Sequence, residues 1–118
     1  MIKYHDPDGS RIAEFTGNGI LLSSVQDAVD LLGELSFDNC SSVILRETDI
    51  HPDFFKLQTR LAGDILQKFS NYNFRIAIIG EFSKFRSKSL HDFMLESNKG
   101  NSVFFADNLD SALNKLAR

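Results

Sequence analysis

The chain has 118 residues, 42% of them hydrophobic, with 13 basic against 16 acidic side chains and a net charge of −3; this is the profile of a single soluble globular domain, residues 1–118, large enough to bury a core. The charges are spread along the chain, so no global field draws it to nucleic acid or to an anionic membrane surface. The lone Cys40 excludes an internal disulfide, no signal-peptide hydrophobic region follows Met1, and no apolar stretch approaches the ~20 residues that cross a bilayer, so a cytoplasmic setting is expected.

Residues 2–16 hold two short runs, IKYH and RIAEF, separated by Asp6-Pro7-Asp8-Gly9-Ser10. Proline presets φ at the second position of a tight turn and glycine accepts the positive φ that follows, so the spacing predicts a β-hairpin. TGNGILLSS then makes a loop. Ser23 or Ser24 is placed to cap a helix whose Val25, Ala28, Leu32 and Leu35 recur at helical spacing, with Gln26 or Asp27 completing a capping box. That helix is expected to end near Phe37-Asp38-Asn39, leaving Cys40 in a loop before the third strand.

SVIL (42–45), IAII (76–79) and VFF (103–105) are continuous apolar runs rich in β-branched or aromatic residues, the pattern of strands covered on both faces. Each leads into a helix. Pro52 suits a first helical turn, and Phe54, Leu57, Leu61, Ile65 and Phe69 mark one face of a long second helix. Gly63 interrupts it at a cost of ~1 kcal/mol against alanine, a cost that close packing of Ala62-Gly63 against the sheet, or against another subunit, would offset. Leu90, Phe93 and Met94 mark a third helix closed by Asn98-Lys99-Gly100. Leu109, Ala112, Leu113 and Leu116 mark a fourth. Val43, Ile76 and Val103 recur at close to the ~30 residues of a βαβ unit, so the sheet core is expected to be parallel. The eleven Phe, with no Trp, fall mostly at these periodic positions and are expected to fill the core. The predicted order is ββαβαβαβα, an α/β domain with a small, mostly parallel mixed sheet and helices mainly on one face; the hairpin is free to pair on either edge, and its outer strand to support a homodimer.

This order resembles the STAS-like fold of anti-sigma-factor antagonists. More specifically, SSVQDAVDLLG, LAGDILQKFSNYNFRIAIIGEFSKFRSKSLHDFMLESNKG and VFFADNLDSALNKL resemble a bacterial domain-of-unknown-function family over most of the chain. The family likeness implies no activity. The antagonist likeness implies a serine after an aspartate at the start of the helix that follows the third strand, where a partner kinase acts. Here that segment reads Arg46-Glu47-Thr48-Asp49-Ile50-His51-Pro52, with Ile50 after Asp49 and the nearest hydroxyl, Thr48, before it. The phospho-switch is therefore not carried over.

In a parallel sheet, loops leaving the carboxyl ends of strands share one edge, where open α/β folds place ligands. One such loop carries Arg46, Glu47, Thr48 and Asp49; the next carries Gly80, Glu81, Phe82, Ser83, Lys84, Phe85, Arg86, Ser87, Lys88 and Ser89. The second loop reads in three ways. Its serines, cations and helix-start amides suit an anion. Ser87 or Ser89 equally suits a plain helix cap beside solvated cations. Lys84, Arg86 and Lys88 against Glu81 also complement Arg46 against Glu47, Asp49 and Asp53, so the two loops can pair; capping and pairing together outweigh the anion site. The loop matches neither a P-loop nor a dinucleotide fingerprint. Glu47, Asp49 and Asp53 are spaced too loosely to define a metal or acid–base pair. His5, His51 and His91 are scattered, with no zinc spacing, no pairing to Cys40 and no G-x-S-x-G elbow. His51 alone stands on the candidate edge.

These readings favour a non-enzymatic regulatory or protein-interaction module with no cofactor and no metal. Its edge comprises Glu47, Thr48, Asp49, His51, Phe82, Ser83, Lys84, Phe85, Arg86, Ser87, Lys88 and Ser89, with Phe82, Phe85 and Arg86 as anchors for another protein or a second copy of the chain. The alternative is a small-anion or phosphometabolite site on Ser83, Lys84, Ser87 and Lys88. An enzyme using Glu47, Asp49 or His51 ranks last.

Overall fold

Five strands form one sheet in the order β1-β2-β3-β4-β5, seen in a computed structural model that describes residues 1–7, 9–17 and 19–117. The strands β1 (Ile2–His5) and β2 (Arg11–Phe15) are the expected hairpin, antiparallel with Ile2 opposite Phe15 and His5 opposite Ile12. Gly9 in their turn takes φ 81°, open to glycine without strain; Asp8 of the predicted turn and Asn18 of the following loop lie outside the described residues. The strands β3 (Cys40–Arg46), β4 (Arg75–Ile79) and β5 (Val103–Ala106) continue in parallel from β2. The α/β layout expected from the three apolar runs is the one observed, and the hairpin joins the sheet through β2.

Alternation along each strand divides the core. Ala13, Phe15, Val43, Leu45, Ile76, Ile78 and Phe105 face α1 (Val25–Phe37), α2 (Leu61–Asn71) and α3 (Lys88–Lys99). Ile12, Ile44, Ala77, Phe104 and Ala106 face α4 (Leu109–Leu116) on the other side. Both sides of β3 and β4 are thus apolar, which is why their sequences lack alternation.

Local chemistry sets the helix boundaries. Ser24 caps α1 by accepting from the Asp27 N–H at 3.1 Å, and Asp27 Oδ2 accepts in return from the Ser23 N–H and hydroxyl at 2.9 and 2.8 Å. Three expectations need correction. The long second helix is broken: residues 52–55 and 57–59 form short 3₁₀ turns, and α2 starts only at Leu61, after Arg60 at φ 66°. The carbonyls of Asp53 and Lys56 accept from the N–H groups three residues on, Lys56 and Thr59, at 3.1 and 2.9 Å, and the Thr59 hydroxyl, 2.7 and 2.8 Å from the same two carbonyls and accepting from the Leu61 N–H at 3.2 Å, adds to this tightened pattern. The break also lets adjacent Phe54 and Phe55 both turn inward, with ring centroids 5.0 Å apart. Cys40 is not in a loop; it opens β3, buried. Gly63 is exposed, and a Cβ there would meet nothing within 4 Å, so close packing against the sheet does not explain it.

Candidate functional site

The carboxyl ends of β2 to β5 all open on one edge, and the candidate residues divide there into those that hold the fold and those that face outward. Arg46 belongs to the first group. Its guanidinium donates to Glu14 Oε2 at 2.9 Å and to the Phe15 carbonyl at 2.8 Å, while His5 Nε2 meets Glu14 Oε1 at 2.9 Å. Glu14 is 2% exposed in the middle of β2. Burial pushes its carboxyl up, but the hydrogen bonds from His5 and Arg46 outweigh this and hold it below the usual glutamate range. Glu14 is not among the residues the sequence singles out, although a carboxylate between Ala13 and Phe15 was the available signal.

Asp49 is likewise structural. It is 2% exposed, its carboxylate accepts from the Arg46 N–H at 2.8 Å, and its carbonyl accepts from the N–H groups of Leu21 and Leu22 at 2.6 and 3.1 Å. Burial pushes its carboxyl above the usual aspartate range. It thereby ties the loop after β3 to the loop after β2, where Leu22 and Ile50 form an isolated parallel bridge. His51 Nδ1 accepts from the Asp53 N–H at 3.0 Å, capping the turn begun by Pro52.

The basic loop is tied down on its own side. Lys84 Nζ lies 2.6 Å from Glu47 Oε2, the pairing between adjacent loops that opposite charges suit. Ser87 caps α3 by accepting from the Leu90 N–H at 3.2 Å, and Lys88 pairs with Asp92 one turn on at 2.9 Å. Phe82 and Phe85 are half-buried: Phe85 stacks on Phe55 at 5.0 Å, and Phe82 meets Phe105 edge-on at 5.4 Å. Ser83, Arg86 and Ser89 are exposed. Gly80 makes this crowding feasible, since a Cβ there would stand 2.9 Å from Glu47 Cβ.

Between the loops lies a cleft of about 240 Å³ lined by Ile20, Glu47, Thr48, Ile50, Pro52, Phe55 and Phe85. Ile20 is 52% exposed at its mouth. Ile20, Ile50, Pro52 and Phe55 were not among the predicted edge residues; they come together only because the 20–22 segment is bonded to Asp49 and the 52–55 turn folds inward. Among the described residues, no group of three His, Cys, Asp or Glu side chains is assembled for a metal, and no helix is long and apolar enough to cross a membrane.

The fold and this edge define a small α/β domain with an apolar cleft at the carboxyl ends of its parallel strands. The chain belongs to the domain of unknown function family DUF4180, which matches residues 7–116. No curated protein and no solved structure matches it.

Proposed function

We propose that the domain is a non-enzymatic regulatory or interaction module that binds another protein at its carboxyl edge. The observation that carries this reading is the apolar cleft walled by Ile20, Ile50, Pro52, Phe55 and Phe85. Ile20 and Pro52 are exposed at its rim while Ile50 and Phe55 form a buried floor, and an apolar floor within a polar surround is the composition of a protein-binding surface, where aromatic anchors supply most of the binding energy. The proposal keeps the STAS-like comparison, with a bacterial and cytoplasmic setting, as its biological frame. The small-anion alternative has less support, because Lys84 and Lys88 are paired to carboxylates and Ser87 already serves α3.

The test places a photo-crosslinking amino acid at exposed Thr48, with a second version at Leu95, exposed on α3. A discrete crosslinked protein from Thr48 that is absent from Leu95, and lost on adding Ile20→Asp, supports the reading. Equal labelling from both positions, or labelling indifferent to Ile20→Asp, rejects it.

A further inference from the structure

Two clefts open at the carboxyl edge, one lined by Phe85 and the other by Phe82, whose ring centroids are 6.4 Å apart. The first is the apolar cleft, in which Phe85 is a wall. The second, about 660 Å³ and more open, is lined by Gly80, Glu81, Phe82, Ser83, His91 and Asp107. Its position follows from the topology. The connection leaving β4 passes to α3 on one face of the sheet and the connection leaving β5 passes to α4 on the other, so the chain parts outside the ends of β4 and β5, the place where open sheets form a crevice.

The two clefts differ in chemistry. Around the apolar one, Glu47 is neutralised by Lys84. In the second, Glu81 and Asp107 are exposed and neither has an ion-pair partner among the described residues. His91 is held in place there, its Nε2 2.6 Å from the Phe85 carbonyl, to which only an N–H can bond. The half-buried Phe82 ring adds a wall of the kind over which a cationic group packs favourably. Two unmatched carboxylates beside an aromatic wall suit one cationic side chain.

We infer that the partner is a peptide segment that carries an aliphatic side chain for the Ile20–Phe55–Phe85 cleft and a lysine or arginine for the Glu81–Asp107 cleft. An extended chain rises ~3.3 Å per residue with side chains alternating, so the 6.4 Å between the Phe82 and Phe85 rings puts the two anchors at least about two residues apart. This inference rests on the protein-binding reading and names the chemistry of the partner.

A phage-displayed library of random peptides, selected on the intact domain, supplies the probe. Binding of enriched peptides is then measured by fluorescence anisotropy for the wild type, for Glu81→Gln/Asp107→Asn and for Ile20→Asp, each checked for unchanged melting. The expected peptides pair an aliphatic residue with Lys or Arg at that spacing. They should bind the charge-removed double variant ~5- to 10-fold more weakly, the effect of losing two exposed charge contacts, and Ile20→Asp should weaken them as well. Peptides that keep the aliphatic residue, respond to Ile20→Asp and ignore the double variant overturn the basic anchor while leaving the protein-binding reading intact. Acidic peptides lost with Arg86→Ala also overturn it. Selection of no peptide, or of peptides indifferent to every variant, rejects both.

Discussion

Glu14→Gln isolates the buried charge cluster that joins the hairpin to β3. The side chain loses its charge while keeping its size and one acceptor, so the Arg46 guanidinium keeps its bond to the Phe15 carbonyl but loses its counter-charge. Breaking a fully buried ion pair from one side costs about 3–5 kcal/mol. Here the Arg46 and His5 side chains are 35% and 26% exposed, and water reaches what the carboxylate gives up. The expected loss is therefore smaller, about 1.5–3 kcal/mol, the range of hydrogen bonds to charged groups, still a large share of the ~5–15 kcal/mol that holds a domain folded. The pH dependence adds a second check. Because the folded carboxyl titrates below its ordinary range, its contribution is fully present above about pH 4.3, the unfolded value, and is lost as the pH falls through the lowered folded value. Urea unfolding of both proteins should show the full deficit at about pH 7 and a shrinking one toward about pH 3. A deficit under about 0.5 kcal/mol at neutral pH, or one that persists undiminished in acid, would refute the reasoning.

Asp49→Asn should move the other way: burial holds the carboxyl above its ordinary range, so the wild type gives up stability as the pH rises past about 3.9. The asparagine variant, which keeps an acceptor for the Arg46 N–H, should equal or exceed it at neutral pH, read by the same urea titration. Gly63→Ala should stabilise by up to ~1 kcal/mol, since a Cβ meets open space on a helical backbone; a lower melting temperature would contradict this. Gly80→Ala should cost about 1–3 kcal/mol, because its Cβ would fall 2.9 Å from Glu47 Cβ and 3.1 Å from Phe82 Cζ, and thermal melting reads the loss directly. Asn98→Ala should cost about 1 kcal/mol and raise concentration-dependent light scattering, because Asn98 answers both the N–H of Phe105, at 2.7 Å, and its carbonyl, at 3.3 Å, on edge strand β5.

The order of elements was legible because the chain states it redundantly: SVIL, IAII and VFF leave no other way to bury continuous apolar runs between helical periods, and Asp6-Pro7 with Gly9 marks the hairpin turn. The second helix departs from expectation because Phe54, Leu57, Leu61, Ile65 and Phe69 keep helical spacing, whereas the backbone over 53–60 bonds three residues on instead of four, with the Thr59 hydroxyl against the same carbonyls. Periodicity cannot register such competition. Gly63 was misread for a related reason: a glycine inside a periodic stretch does not say which face it occupies. At the edge, Ser87 as a helix cap and the pairing of the two loops through Lys84 and Glu47 were visible in the local pattern and in the opposite charges of adjacent segments. The burial of Asp49 was not, because it depends on Leu21 and Leu22 reaching its carbonyl from nearly thirty residues away.

That division of labour explains why the cleft is where it is. Parallel strands deliver their carboxyl-end loops to one edge, and each loop has backbone groups to satisfy there. Asp49, His51 and Ser87 meet that demand with side chains, and Glu47 and Lys84 join neighbouring loops at a distance Gly80 permits. With the polar groups so occupied, the apolar side chains Ile20, Ile50, Phe55 and Phe85 form the walls of the cleft, while Glu81 and Asp107 keep unmatched charge beside it. The sheet margin offers a partner less: Asn98 covers the β5 edge, and β1 is only four residues long and presents exposed Lys3, both devices that discourage strand addition. A partner recognised by side chains is therefore better served at the carboxyl edge than one recognised by backbone pairing is at either margin.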